Sequence, residues 1–160
     1  MNKRILSILA RDARTTPDKI ATMIGEPEDA VVKAIQDMEK SGIIRRYKTI
    51  IDWAKAGKER VFAFIDVRVT PSRGVGYDEI AKRIYGYPEV HSVYLVSGDY
   101  DLRVVVEGKT MQEVAFFVAE RLAPLDGVLS TRTNFLLKKY KDDGDLFEDK
   151  GEDFRLPVSP

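Results

Sequence analysis

The chain has 160 residues, with 26 lysines and arginines balanced by 26 aspartates and glutamates, and no cysteine. That length suits one ordinary domain or two small ones, and the missing thiols exclude disulfides, thiolate metal sites and cysteine nucleophiles. No apolar run approaches a membrane span, and Met1-Asn2-Lys3-Arg4 leads straight into an amphipathic pattern, so a cytoplasmic protein without a membrane partner is expected.

Charge is unevenly spread. Residues 1–50 carry a net +3, residues 51–140 a net +1 and residues 141–160 a net −4. A mildly basic first third is compatible with nucleic acid, whereas an acidic tail repels phosphate.

The first fifty residues read as three short helices. Ile5, Leu6, Ile8 and Leu9 form an apolar stripe at helical spacing that ends by Arg14-Thr15. Thr16 is placed as an N-cap before Pro17, followed by Ile20, Ala21, Met23 and Ile24, with Gly25 as the stop. Glu28 and Asp29 put acids in the first turn of a third helix, whose buried stripe is Val31, Ile35 and Met38 and whose stop is Gly42. Two helices joined by a tight glycine turn are the ingredients of a helix-turn-helix. Residues 43–51 then read as extended, and residues 51–59 as a linker.

From Arg60 the rhythm changes. Val61, Ala63, Ile65, Val67 and Val69 alternate as a strand, and residues 77–85 read as a helix with Ile80, Ala81 and Ile84 on one side. Residues 90–109 read as a hairpin placed mid-sheet, turning at Ser97-Gly98-Asp99, with Leu102, Val104 and Val106 on the core face and Arg103, Val105 and Glu107 opposite. Thr110 to Glu113 is a capping box opening a helix with Met111, Val114, Val118 and Leu122 inward. Pro124 and Gly127 end it, and residues 128–140 form the last strand.

Strand, helix, strand, strand, helix, strand is the split βαβ arrangement, so the expected class is α+β: a three-helix (winged) helix-turn-helix followed by a ferredoxin-like βαββαβ sandwich domain over residues 60–140. Two helices cover one sheet face. The other carries Phe62 and Phe64 before Asp66 and Arg68, too apolar to stay wet, and a second copy of the chain is expected to cover it. Residues 141–160 are expected to be a mostly mobile acidic tail.

Ser97-Gly98-Asp99-Tyr100-Asp101 in the hairpin and Gly127-Val128 with Thr131-Arg132-Thr133 in the last strand resemble the leucine-responsive and asparagine-operon (Lrp/AsnC, feast/famine) regulators. So do Leu9 with Arg14, Ile20-Ala21, Ile24-Gly25, Met38-Glu39 and Gly42-Ile43-Ile44 over the first domain, and the resemblance spans roughly residues 1–140. It implies a DNA-binding N-terminal domain and a C-terminal domain that oligomerises and binds a small-molecule effector, usually an amino acid. Ser97, Gly98, Asp99, Tyr100 and Asp101, with Thr131 and Thr133 nearby, then map to the effector site. An aspartate would meet the ammonium group, and turn amides and threonine hydroxyls the carboxylate.

The third helix departs from the family pattern. Pro27 stands where a serine N-cap is common and Ala34 where an arginine is common, leaving Lys33 and Gln36 on the helix, with Lys40, Arg45 and Arg46 to hold the phosphate backbone. Weak DNA binding by a single copy, rescued by multiple copies, is the expectation. The alternative is a ligand-sensing or protein-interaction module without specific DNA binding. No enzyme is expected: His91 is the sole histidine and no acid-base set converges on it. Asp99 and Asp101 lack the further oxygen donors of a metal site, and neither metal nor cofactor is expected.

Overall fold

The computed structural model describes residues 1–70 and 76–147, which divide between two compact units, one of Met1–Ile51 and a second beginning at Asp52. In the first, α1 (Asn2–Arg11), α2 (Pro17–Ile24) and α3 (Glu28–Lys40) enclose a core of Ile5, Ile20, Ala21, Ile24, Val31, Ala34 and Met38. Each helix contributes one apolar stripe, which is why a unit this small closes. Thr16 occupies the N-cap of α2 without bonding a helix amide. Its hydroxyl instead bonds the Asp18 carboxylate, holding that group below the ordinary aspartate value. Ala34 is buried at 6 % exposure.

In the second unit, β1 (Val61–Val69), α4 (Tyr77–Tyr85), β2 (Val90–Leu95), β3 (Leu102–Gly108), α5 (Met111–Phe117) and β4 (Val128–Phe135) follow the expected order. The antiparallel sheet runs β2-β3-β1-β4. The hairpin is therefore only half central: β3 lies inside the sheet, but β2 is an edge, because β1 pairs with β3 and β4. Ala63, Ile65, Val67, Val69, Leu102, Val104 and Val106 pack against Ile80 and Ile84 of α4 and Val114 and Phe117 of α5. Burying a side chain of this size is worth about 1.5–3 kcal/mol, against at most about 1 kcal/mol for an exposed ion pair, so the apolar alternation sets the strand faces.

Several boundaries differ from the sequence reading. Met111 is not inward but 52 % exposed: as the first residue of α5 it precedes the buried stripe, which Phe117 joins instead. Helix α5 continues as a π-helical turn, Val118–Leu122, that keeps Val118 and Leu122 in the core. Strand β4 stops at Phe135, five residues short of Tyr140. The start of the acidic tail is ordered, with β5 (Lys141–Asp142) and β6 (Asp145–Leu146) pairing across Asp143-Gly144, both at positive φ as a tight hairpin turn requires. Residues 148–160 of the tail, and Pro71, Ser72, Arg73 and Gly74 after β1, lie outside the described residues.

Candidate functional site

The helix-turn-helix is built from the α2–α3 corner. Gly25 adopts φ +70°, and the amides of Gly25 and Glu26 both return to the Ala21 carbonyl, at 2.8 and 3.1 Å. That left-handed residue turns the chain within three residues into α3. Arg4 Nη1 donates to the Ile24 carbonyl at 3.1 Å, tying α1 to the end of α2. With Val31, Ala34 and Met38 buried, the opposite side of α3 presents Lys33, Gln36 and Lys40 to solvent. Past α3, Gly42 at φ +72° reverses the chain and the Ile44 amide bonds the Met38 carbonyl at 3.0 Å. Tyr47 donates its hydroxyl to Glu39 Oε1 at 2.8 Å, so the exposed pair Arg45 and Arg46 is held close to the helix end. Burial and the Glu39 carboxylate raise the Tyr47 phenol above its ordinary value.

At the far end of the hairpin, the β2–β3 connection spans residues 96–101 rather than three residues. It is clamped from β1. A register shift at Arg68/Val69 frees the Val69 amide from the ladder, and Asp101 Oδ2 accepts it at 2.8 Å. The Asp101 amide donates to the Val67 carbonyl at 3.1 Å, and the Tyr77 hydroxyl lies 3.4 Å from Asp101 Oδ1. The Arg68 guanidinium donates to the Asp99 carbonyl through Nε and Nη2, at 3.0 and 2.6 Å, and lies 5.6 Å from the Tyr100 ring centre.

With the loop's frame fixed in this way, the backbone amides of Ser97, Gly98, Asp99 and Tyr100 and the carboxylate of Asp99 have no protein partner among the described residues. Gly98, at φ +139°, takes a backbone shape that side chains avoid. Thr131 and Thr133 pair with Val67 and Ile65 of β1, so they stand half-buried on the helix-covered side of the sheet, one strand beyond the loop's attachment. The five loop residues are therefore together, while the two threonines are set across β1 from them.

The uncovered sheet face is less oily than its sequence suggests. Asp66, 6 % exposed, accepts from Arg103 Nε at 2.7 Å and from Asn134 Nδ2 at 3.3 Å. That bond raises the Arg103 guanidinium further above its ordinary value. Arg132 is the register partner of Asp66 on β4, and its side chain makes no hydrogen bond or ion pair among the described residues. Near the start of β1, Arg60 pairs with Glu107 and lies over Trp53, 4.4 Å from its ring centre, while Phe62 meets His91 edge-on at 5.9 Å. Asp66, Asn134 and Arg68 escaped the sequence reading as partners. Their signal was a pair of charges breaking an apolar alternation, but the strand pairing that gives them partners is not local.

Two family models match the chain: "Winged helix-turn-helix DNA-binding" over residues 2–45 and "Lrp/AsnC ligand binding domain" over residues 62–146. The HTH-type transcriptional regulator YugG of Bacillus subtilis is 52 % identical, over 98 % of this chain and 95 % of its own. Among solved structures, the leucine response regulatory protein LrpA of Mycobacterium tuberculosis aligns at a TM-score of 0.75 and 23 % identity, covering 90 % of this chain and 95 % of that one. A Neisseria meningitidis transcriptional regulator in complex with L-methionine aligns at 0.72 and 22 %, covering 88 % and 90 %. At such identities the solved structures bear on the fold alone. These relatives are regulators and not enzymes, and the chain itself belongs to the Lrp/AsnC family of DNA-binding transcriptional regulators.

Proposed function

We propose that this regulator is cytoplasmic, is controlled by a free amino acid and works as a homodimer or larger homo-oligomer. The effector site is assigned to Ser97, Gly98, Asp99, Tyr100 and Asp101, with Thr131 and Thr133 at its margin. The observation that carries this reading is the clamped loop, whose four consecutive amides and one carboxylate stand without protein partners among the described residues. Successive amides form an anion-binding concavity suited to a carboxylate, and Asp99 suits an ammonium group. Asp101 acts on the frame rather than on the ligand, since one of its oxygens is committed to the Val69 amide. The L-methionine bound to the Neisseria relative is a ligand of this class.

On the DNA side, Lys33 and Gln36 face the bases and Lys40, Arg45 and Arg46 the phosphates. The second copy covers the open sheet face, where Phe62, Phe64 and Val105 lie to one side of the Asp66–Arg103 pair. Calorimetric titration of the full chain with single amino acids tests the effector. At least one is expected to bind, and Asp99→Asn to weaken it roughly tenfold or more, the cost of losing a charge-assisted bond. No binding at millimolar concentrations, or equal binding by the variant, would remove the assignment.

The acidic first turn of α3, Glu28 and Asp29, favours the second reading, in which the fold senses ligands without specific DNA binding. Gel shifts on promoter and on random DNA at two salt concentrations separate the two: a regulator keeps its promoter shift at the higher salt, where binding that rests on phosphates alone is lost.

A further inference from the structure

The outward face of α3 is a single stripe. Asp29, Lys33, Gln36 and Lys40 follow one another at helical spacing, all exposed, directly opposite the buried Val31, Ala34 and Met38. None of the four side chains makes a hydrogen bond or ion pair among the described residues, although Asp29 and Lys33 are four apart and within reach of each other. All four are thus uncommitted on the face that a helix-turn-helix lays in the major groove, and the residues nearest the helix start are the ones that meet base edges.

Asp29 is the anomaly in that stripe. A carboxylate close to a phosphate backbone weakens binding to every sequence alike unless it accepts a hydrogen bond from a base. In the major groove the cytosine N4 amino group is a donor that carboxylates read. Adenine's N6 amino group is also a donor, but it sits beside the N7 acceptor, which an anion cannot satisfy and an amide can.

Resting on the reading that this chain binds DNA through α3, we propose that Asp29 is a specificity residue that selects cytosine in the operator half-site. Lys33, four residues on, lies about 6 Å further along the helix axis, so it reads guanine within about two base pairs of that cytosine. The unfavourable charge then works as a filter: sites lacking the cytosine are rejected by an unpaired anion facing the groove.

The test is selection of binding sequences from a randomised duplex pool by the full chain, comparing the wild type with Asp29→Asn, Asp29→Ala and Glu28→Gln. The wild type is expected to enrich a fixed cytosine. Asp29→Asn is expected to exchange it for adenine, because an amide offers both the donor and the acceptor that adenine N7 and N6 require. Asp29→Ala should lose preference at that position by roughly tenfold or more while binding random DNA at least as well as the wild type. Glu28→Gln removes an equal charge from the same turn but lies off the stripe, and should keep the cytosine.

A wild-type motif without the cytosine, or one that survives in both Asp29 variants, overturns the assignment while leaving DNA binding intact. If Glu28→Gln loses the cytosine as well, a general effect of first-turn charge is the cause and the assignment also falls. Recovery of no sequence by the wild type at low salt would instead overturn the DNA-binding reading, and this inference with it.

Discussion

Asp66 shows how a single side chain can fix a face without filling a core. Its carboxylate is nearly buried between Arg103 and Asn134, yet the Arg103 side chain remains 50 % exposed. In a single copy, Asp66→Ala should therefore cost about 1–2 kcal/mol in denaturant unfolding, because Arg103 can rehydrate. That is below the 3–5 kcal/mol or so of breaking a fully buried pair. In a dimer that covers this face the loss should rise toward that higher range, and a loss of only about 1–2 kcal/mol in the assembled protein would mean that the face stays open. Tyr47 gives a pH prediction. Its phenol is raised by burial and then by Glu39, so the folded state holds this proton more tightly than the unfolded one. The stabilisation is fully present below the ordinary tyrosine value near 10 and is lost as pH climbs through the raised folded value. The midpoint difference between wild type and Tyr47→Phe in urea should hold up to about pH 10 and shrink above it; a difference that stays constant there would contradict the bond.

Among the elements, the join between α5 and β4 leaves no room for a side chain. Gly127 sits at φ +89°, and a Cβ there would lie 2.8 Å from Ile80 Cδ1 of α4. Gly127→Ala combines strain with overpacking and should destabilise the second unit by roughly 2–4 kcal/mol, read as a fall in its melting temperature. Thr110 accepts the Glu113 amide at 3.1 Å, while Glu113 Oε2 takes the Lys109 amide at 2.7 Å, one residue earlier than a capping box predicts. Thr110→Ala should cost about 1 kcal/mol by the same measurement.

The elements were largely legible in the sequence, because helix and strand periodicities are local. Gly25, Gly42 and Thr110 marked their ends correctly. Met111 misled because apolar character says nothing of whether a residue precedes the buried stripe. Tyr140 misled because alternation cannot show where a strand's partner stops. Of the candidate site, the loop residues could be named from their motif, but the clamp from Arg68 and Asp101 could not. It depends on a register shift in a strand about thirty residues away.

For the molecule as a whole, two expectations concern association. The slope of log affinity for DNA against log salt should fall by about 0.9 for each phosphate that is no longer neutralised, so Arg45→Ala and Arg46→Ala should each flatten it. An unchanged slope in both would move the phosphate-binding role to other side chains. Placing an acid on the open face, Phe64→Asp, should shift sedimentation from dimer to monomer while leaving circular dichroism unchanged; a wild-type monomer would refute the dimer outright. The two hydrophobic cores have no side chain in common. Heating should accordingly produce two separate calorimetric transitions, so no one unfolding free energy characterises the whole chain. Evolution inherits the same independence: either half can drift, or be exchanged for that of a cousin, without first repacking the interior of the other.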